Sequence, residues 1–206
     1  MTYPTLSSLR RLTLLTLAAA SLSGCAALLV GGAVGTAFVV SDRRTSGVQL
    51  EDQAIEIKAV NRIREAVGAR GHINATSYNR TVLLTGEVAS EADRSAIEQT
   101  VSRIENVRST LNELAVMGST SLTARSNDAI LTSKVKASYL DAKDLHASAI
   151  KVVTERGTVF LMGRVSEREA TRAAELARGI SGVQKVVRAF EILTEAELAE
   201  LGGKKS

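Results

Sequence analysis

A chain of 206 residues can hold one large or two small domains. Hydrophobic residues make up 45% but aromatics only 3%, so any core is built from Ala, Val, Ile and Leu, and a single Cys excludes an intramolecular disulfide. The net charge of +4 is unevenly spread: residues 51–118 carry eight Lys and Arg against ten Asp and Glu, whereas residues 127–194 carry eleven against eight, which points to different jobs for the two regions.

At the N-terminus, Arg10 and Arg11 precede an uncharged stretch, Leu12 to Ala20, that runs into Leu22-Ser23-Gly24-Cys25. A short basic region, a short apolar core and small residues describe a secretory signal peptide over residues 1–24. Leu22 to Cys25 resembles the lipobox of bacterial lipoproteins, and the only Cys stands where that pattern needs it. The resemblance implies that Cys25 becomes the first mature residue and is acylated on sulfur and nitrogen. At roughly 0.8 kcal/mol per buried methylene, two or three acyl chains hold by tens of kcal/mol, so what the folded part does with lipid is recognition and not anchoring. Ala26 follows the Cys, with no Asp there, which resembles the default for outer-membrane delivery in Gram-negative lipoproteins. Left uncleaved, Leu12 to Val40 is a 29-residue uncharged run long enough to span a bilayer, so a transmembrane anchor is the alternative. The polar stretch Asp42 to Gln49 reads as the end of a linker covering residues 25–50.

Two phrases, Thr81 to Val88 (TVLLTGEV) and Thr158 to Val165 (TVFLMGRV), match at five of eight positions, and their flanks repeat with them. In the first copy, residues 51–118, Glu51 or Asp52 caps a helix to Val67 with Ile55, Ala59, Val60, Ile63 and Val67 as its apolar stripe. Strands follow over Ile73–Tyr78 and Thr81–Val88, joined at Asn79-Arg80. A helix opens at Ser90, and Val107–Val116 is the last strand. The second copy, residues 127–194, keeps the order: a helix capped by Asn127 or Asp128, strands over Ile150–Thr154 and Thr158–Val165 joined at Arg156-Gly157, a helix opened by the capping box Ser166 and Glu169, and a strand over Val183–Ile192. Residues 119–126 link the copies, and 195–206 form a tail with a short helix at Glu195–Leu201.

The order α-β-β-α-β, twice, predicts an α+β fold. Each copy is a three-stranded mixed sheet with two helices on one face. Side chains alternate along a strand. Val82, Leu84, Gly86 and Val88, identical to Val159, Leu161, Gly163 and Val165, therefore pack under the helices. Leu83, Thr85 and Glu87 against Phe160, Met162 and Arg164 form the divergent face, and the apolar pair Phe160 and Met162 is expected to contact the other copy, with a separate partner as the sharper alternative. Gly86 and Gly163, inside strands, mark a bulge or a close backbone approach.

The doubled TVxLxGxV phrase inside α-β-β-α-β units resembles the BON domain. With the lipobox, the closest likeness at Ser126–Val135 and Val159–Ala170 makes the chain similar to the dual-BON outer-membrane lipoproteins of the DolP (YraP) family over residues 22–194. The fold reading stands without the name, whereas most of the function comes with it.

On the first helix of the second copy, Leu131, Val135, Ser138 and Tyr139 face inward, and Ile130, Lys134 and Ala137 form a more exposed stripe with Ser133 and Lys136 nearby. An apolar residue beside lysines at helical spacing suits an anionic lipid surface, or else is an ordinary solvated helix edge. The family resemblance implies the former: an anionic phospholipid membrane as partner, bound through Ile130, Ser133 and Lys134, in support of envelope integrity, from the periplasmic side of the outer membrane. The chain departs from that family in having Ile130 at the helix start and no Trp anywhere, which implies shallower insertion. A protein-interaction adaptor holding other envelope proteins is the alternative.

An enzyme is not expected. Cys25 is committed to acylation, and His72 and His146 lie in different copies with no Cys, Asp or Glu at ligand spacing. No metal site, cofactor or small-molecule substrate follows from these residues. A signal peptide removes the chain from the cytoplasm, and aromatic interleaving for base stacking is absent, so nucleic acid is not a partner.

Overall fold

A computed structural model of the chain describes residues 42–68 and 71–203. The signal peptide, Cys25 and the uncharged run to Val40 lie outside the described residues. Among the described residues no helix is long and apolar enough to cross a membrane. The first repeat comprises α1 (Ser46–Val67), β1 (Gly71–Tyr78), β2 (Thr81–Val88), α2 (Glu91–Ser102) and β3 (Ser109–Val116). The second comprises α3 (Leu122–Asp141), a short 3-10 turn at Ala147–Ala149, β4 (Ile150–Glu155), β5 (Thr158–Val165), α4 (Glu167–Arg178) and β6 (Lys185–Ile192), and α5 (Glu195–Gly203) follows it.

Each sheet has the phrase strand at its centre, in the orders β1-β2-β3 and β4-β5-β6. The outer pairings are antiparallel on one side and parallel on the other. A hairpin joins the first pair, and α2 or α4 supplies the crossover that a parallel pair needs. The alternation along the phrase sorts the cores. Val82, Leu84 and Val88 pack with Ile55, Ala59, Ile63, Ile97 and Val101 under α1 and α2. Val159, Leu161 and Val165 pack with Val135, Tyr139, Ala170, Ala173, Ala174 and Ala177 under α3 and α4. The small-residue stripe of α4 lets that helix lie close, and Ser166 with Glu169 forms the expected capping box. At Gly86 an added Cβ would lie 1.9 Å from the His72 carbonyl oxygen, and at Gly163 2.4 Å from that of Ala149, so the glycines permit close backbone approach between strands.

The helices begin earlier than their apolar stripes indicate. Thr45 caps α1 and Ser121 caps α3, each side-chain oxygen accepting from a backbone N–H three residues on. Residues 46–50 and 122–126, read as linker, are helix in the structure. Val60, read as part of the α1 stripe, is exposed.

Asp52 and Asp128, read as possible N-caps, lie inside their helices and are buried. They cap the hairpins instead. Asp128 accepts from the backbone N–H groups of Arg156 and Gly157, both at 2.8 Å. Asp52 accepts from those of Asn79 and Arg80, both at 2.8 Å, from the Ser77 hydroxyl at 2.7 Å and from Arg44 at 2.7 Å. All four turn residues have positive φ, from 49° to 70°. This is the two-residue hairpin geometry that suits strand twist, and three of the four are not glycine, so the backbone carries a cost of about 1–2 kcal/mol per residue. Two carboxylate oxygens facing two outward N–H groups offset that cost with charge-assisted bonds.

The bare faces of the two sheets meet, giving the layer order helices, sheet, sheet, helices. Tyr78, Leu83, Phe160 and Met162 are buried there against Leu111, Val153, Val187 and Ala189, so the apolar residues of the divergent face contact the other repeat. Polar contacts fringe the seam: Lys151 donates to Glu56 at 2.8 Å and to the Ser77 carbonyl at 3.2 Å, and Asn79 donates to Glu191 at 2.6 Å. Arg43 donates both guanidinium ends to Glu169, at 2.7 and 2.8 Å, and also to the Arg164 carbonyl at 2.8 Å. Arg44 stacks over the Tyr78 ring, 4.1 Å from its centroid. Ser41–Ser206 is one compact unit holding all these contacts, so it is built to fold without the residues before it.

Removing the Asp128 carboxylate in Asp128→Ala is expected to cost about 3 kcal/mol in urea denaturation, with Asp128→Asn recovering part of it. A loss under about 1 kcal/mol would show that the turn holds its geometry unaided. Glu169 predicts an acid effect. Burial pushes its carboxyl up, but Arg43, the Ser166 N–H and His146 outweigh burial and hold it at about 2. A folded value below the unfolded one contributes stability that is present above about pH 4.5 and lost as pH falls toward 2. Urea midpoints followed down that range should fall less steeply in Glu169→Gln. Some slope should remain, because Ser77, Arg80, Arg44 and Asn79 outweigh burial at Asp52 and hold that carboxyl low as well.

Candidate functional site

The 20-residue helix α3 buries one edge and leaves a broad face open. Its inward side chains are Asp128, Leu131, Val135 and Tyr139. Three hydrogen bonds fix its placement. Tyr139 donates to the Ala173 carbonyl of α4 at 2.9 Å, Thr132 to Thr154 of β4 at 2.8 Å, and Arg125 to the Thr120 carbonyl at 3.1 Å. Glu87 of the first repeat, fully buried, accepts from the Thr120 N–H at 3.2 Å and its hydroxyl at 3.3 Å, pinning the chain just before the helix.

On the open face Leu122 is 78% exposed, Ile130 54% and Leu140 77%. Leu122, Ser126, Ala129, Ser133 and Leu140 follow the 3.6-residue period and form one exposed stripe. Ile130, Lys134 and Ala137 border it on one side and Lys136 on the other. Neither lysine forms an ion pair with another described residue. Ile130 and Lys134, one turn apart, thus come together as the spacing indicated. Ser133 is exposed, but its hydroxyl donates to the Ala129 carbonyl of its own helix at 3.0 Å, so in this rotamer it offers a ligand only acceptor capacity.

Ile130 and Lys134 also stand on the rim of a groove of about 620 Å³ between α3, the β4–β5 turn and the α4–β6 loop, where Arg156, Gly182 and Gln184 form the opposite wall. The sequence reading used Arg156 only as a turn residue and did not include Leu122, Leu140 or Gln184 in the site. Ser121 as a cap followed by Leu122 was the available signal for the extra helical turn. Nothing local signals that Arg156 faces α3, since the Asp128 carboxylate that sets the turn lies 28 residues away in the sequence.

The two histidines remain apart. His72 lies on β1, its ring nitrogen 3.2 Å from the Asn74 amide, and His146 sits 3.0 Å from Glu169. Among the described residues no three His, Cys, Asp or Glu side chains converge in a way that would hold a metal ion. Because Ile130 and Lys134 are both exposed, Ile130→Asp and Lys134→Glu are expected to leave the unfolding free energy within about 0.5 kcal/mol of wild type in urea titrations. A larger loss would assign either side chain to the fold.

The BON domain model matches residues 52–118 and 127–194. The chain is 37% identical over 191 residues to the outer membrane lipoprotein DolP of Haemophilus influenzae, covering 92% of this chain and 99% of that protein. It is 32% identical over 149 residues to a 21 kDa hemolysin of Actinobacillus pleuropneumoniae, covering 71% and 77% respectively. It is 28% identical over 156 residues to the osmotically-inducible protein Y of Escherichia coli, covering 72% and 76%. Two BON domains in one chain, together with the extent of these matches, place the protein in the BON-domain family and, within it, among the dual-BON outer-membrane lipoproteins of the DolP family.

Proposed function

We propose that this envelope lipoprotein faces the periplasm and recognises anionic phospholipid through α3 of its second BON domain, acting as a binding protein and not an enzyme in support of envelope integrity. The observation that carries the reading is the open face of α3: Leu122, Ile130 and Leu140 exposed along a helix bordered by Lys134 and Lys136. Such a helix lies in the interface plane with apolar side chains in the acyl boundary and ammonium groups among the phosphates. Each cation near an anionic surface contributes about 1 kcal/mol. Two lysines alone bind weakly, which suits a protein already held by acyl chains on Cys25 and needing only orientation.

A second reading, an adaptor for other envelope proteins, is favoured by one observation. Helix α1 exposes Leu50, Ile57 and Val60, and α1 lies in the outer layer on the other side of the two sheets from α3. One membrane surface does not cover both faces.

Co-sedimentation of residues 41–206 with vesicles separates the readings. Binding to phosphatidylglycerol-containing vesicles, absent with phosphatidylcholine alone and reduced about fivefold or more in Lys134→Glu and in Ile130→Asp, is the expected result. No binding to either vesicle, with a stable protein crosslink to α1, would replace lipid recognition by the adaptor. Intact mass of the full-length protein from membranes is expected to show cleavage before Cys25 and acylation of that residue. An unmodified thiol would remove the anchor.

A further inference from the structure

We infer that Arg156 is a third cation of the lipid site and contacts the phosphodiester of a bound anionic glycerophospholipid across the groove from Lys134, an assignment that rests on lipid recognition by α3. Position is the first argument. Arg156, Lys134 and Ile130 line the same groove, with the arginine on the hairpin wall and the other two on the helix rim. A headgroup seated between the walls would meet cations from both sides, while its acyl chains pass over Ile130.

Arg156 also has hydrogen-bonding capacity that the fold leaves unused. Its guanidinium has five N–H donors. Its Nε is buried without a hydrogen-bond partner. The nearest carboxylate oxygen, Glu87 Oε1, stands 3.8 Å away and is likewise without a partner. Among the described residues the only side-chain hydrogen-bond acceptor it reaches is the Met117 sulfur, a weak one. Arg156 Nε is one of five such buried side-chain atoms among the described residues, Glu87 Oε1 being another, and an open pair of this kind calls for an explanation. A planar fork with spare donors, about a third exposed beside a groove, fits phosphate oxygens in a way a lysine does not.

The other repeat shows what a purely structural version looks like. Asn79 holds the same turn position, and its amide closes on Glu191 of the second domain at 2.6 Å. Arg156 makes only a loose ion pair, at 3.8 Å, with Glu87 on the central strand of the first domain. Glu87 thereby orients the guanidinium without consuming it. The backbone of Arg156 is fixed independently by Asp128, so the side chain starts from a set point relative to α3. Arg156 thus adds a further cation of the basic second repeat beside Lys134 of α3.

The test uses residues 41–206, vesicles of phosphatidylcholine with and without an equal share of phosphatidylglycerol, and the variants Arg156→Gln, Arg156→Lys and Glu87→Gln. Arg156→Gln is expected to weaken binding about fivefold, the weight of one cation at an anionic surface. Arg156→Lys should recover part of that loss. Glu87→Gln, which removes the counter-charge but keeps the arginine, should bind at least as tightly as wild type. Millimolar glycerol phosphate should not displace the protein, because the membrane, not a free phosphate, is the source of the ligand. Arg156→Gln binding like wild type would overturn the assignment while leaving α3 as a lipid helix. Equal weakening in Arg156→Gln and Glu87→Gln would overturn it too, since both would then act through the domain seam. Displacement by glycerol phosphate would overturn the membrane source. Wild type that binds neither vesicle would sink lipid recognition itself, and this inference with it.

Discussion

One interaction recurs in both repeats and sets the geometry of everything else: a buried aspartate inside the first helix holding two backbone N–H groups of the first hairpin turn. A helix lies on a sheet wherever apolar stripes permit, and apolar contacts alone allow sliding. A carboxylate gripping two adjacent N–H groups does not. It fixes the axial position of α1 and α3 against their hairpins. It also stabilises left-handed backbone at residues that are mostly not glycine. Because the helix is placed by this bond, so are the side chains on its outer face, and in the second repeat those are Ile130 and Lys134.

The two repeats use their divergent strand faces to join. Leucine, phenylalanine, methionine and tyrosine fill the middle of the seam, and charges sit at its ends. Each domain grips the segment leading into the other domain's first helix. Glu87 of the first holds Thr120 ahead of α3, and Glu169 with the Arg164 carbonyl of the second holds Arg43 ahead of α1. Repeats of about 68 residues are marginal as isolated cores. This reciprocal hold makes the pair one body, with Arg43 tied to the second domain and Arg44 to the first.

The same architecture separates two outer faces. With sheets in the middle, α3 and α1 lie on opposite sides, each with exposed apolar residues. On α3 these stand beside lysines that form no ion pair with another described residue. On α1, by contrast, Lys58 and Arg62 each stand 3.5 Å from a carboxylate, those of Glu105 and Glu65. Lys134 and Lys136 thus put part of the second repeat's cation excess on an accessible helix face.

Much of this was legible in the residues. The doubled phrase identified the repeat, its two-residue alternation assigned helix-facing and seam-facing side chains correctly, and Ser166 with Glu169 marked a helix start, because these depend on neighbours a few positions apart. Helix starts were misplaced at Asp52 and Asp128 because an aspartate before an apolar stripe looks like a cap whether its carboxylate turns back to its own helix or across to a hairpin. Only the tertiary structure decided that, since the acceptor's partners lie 27 to 29 residues away. For the same reason the sequence by itself determined that the second repeat carries a basic helix with Ile130 and Lys134 on one side, while the groove, Arg156 on its far wall and Glu87 reaching in from the other domain exist only once the chain has folded and brought three distant segments within a few ångströms.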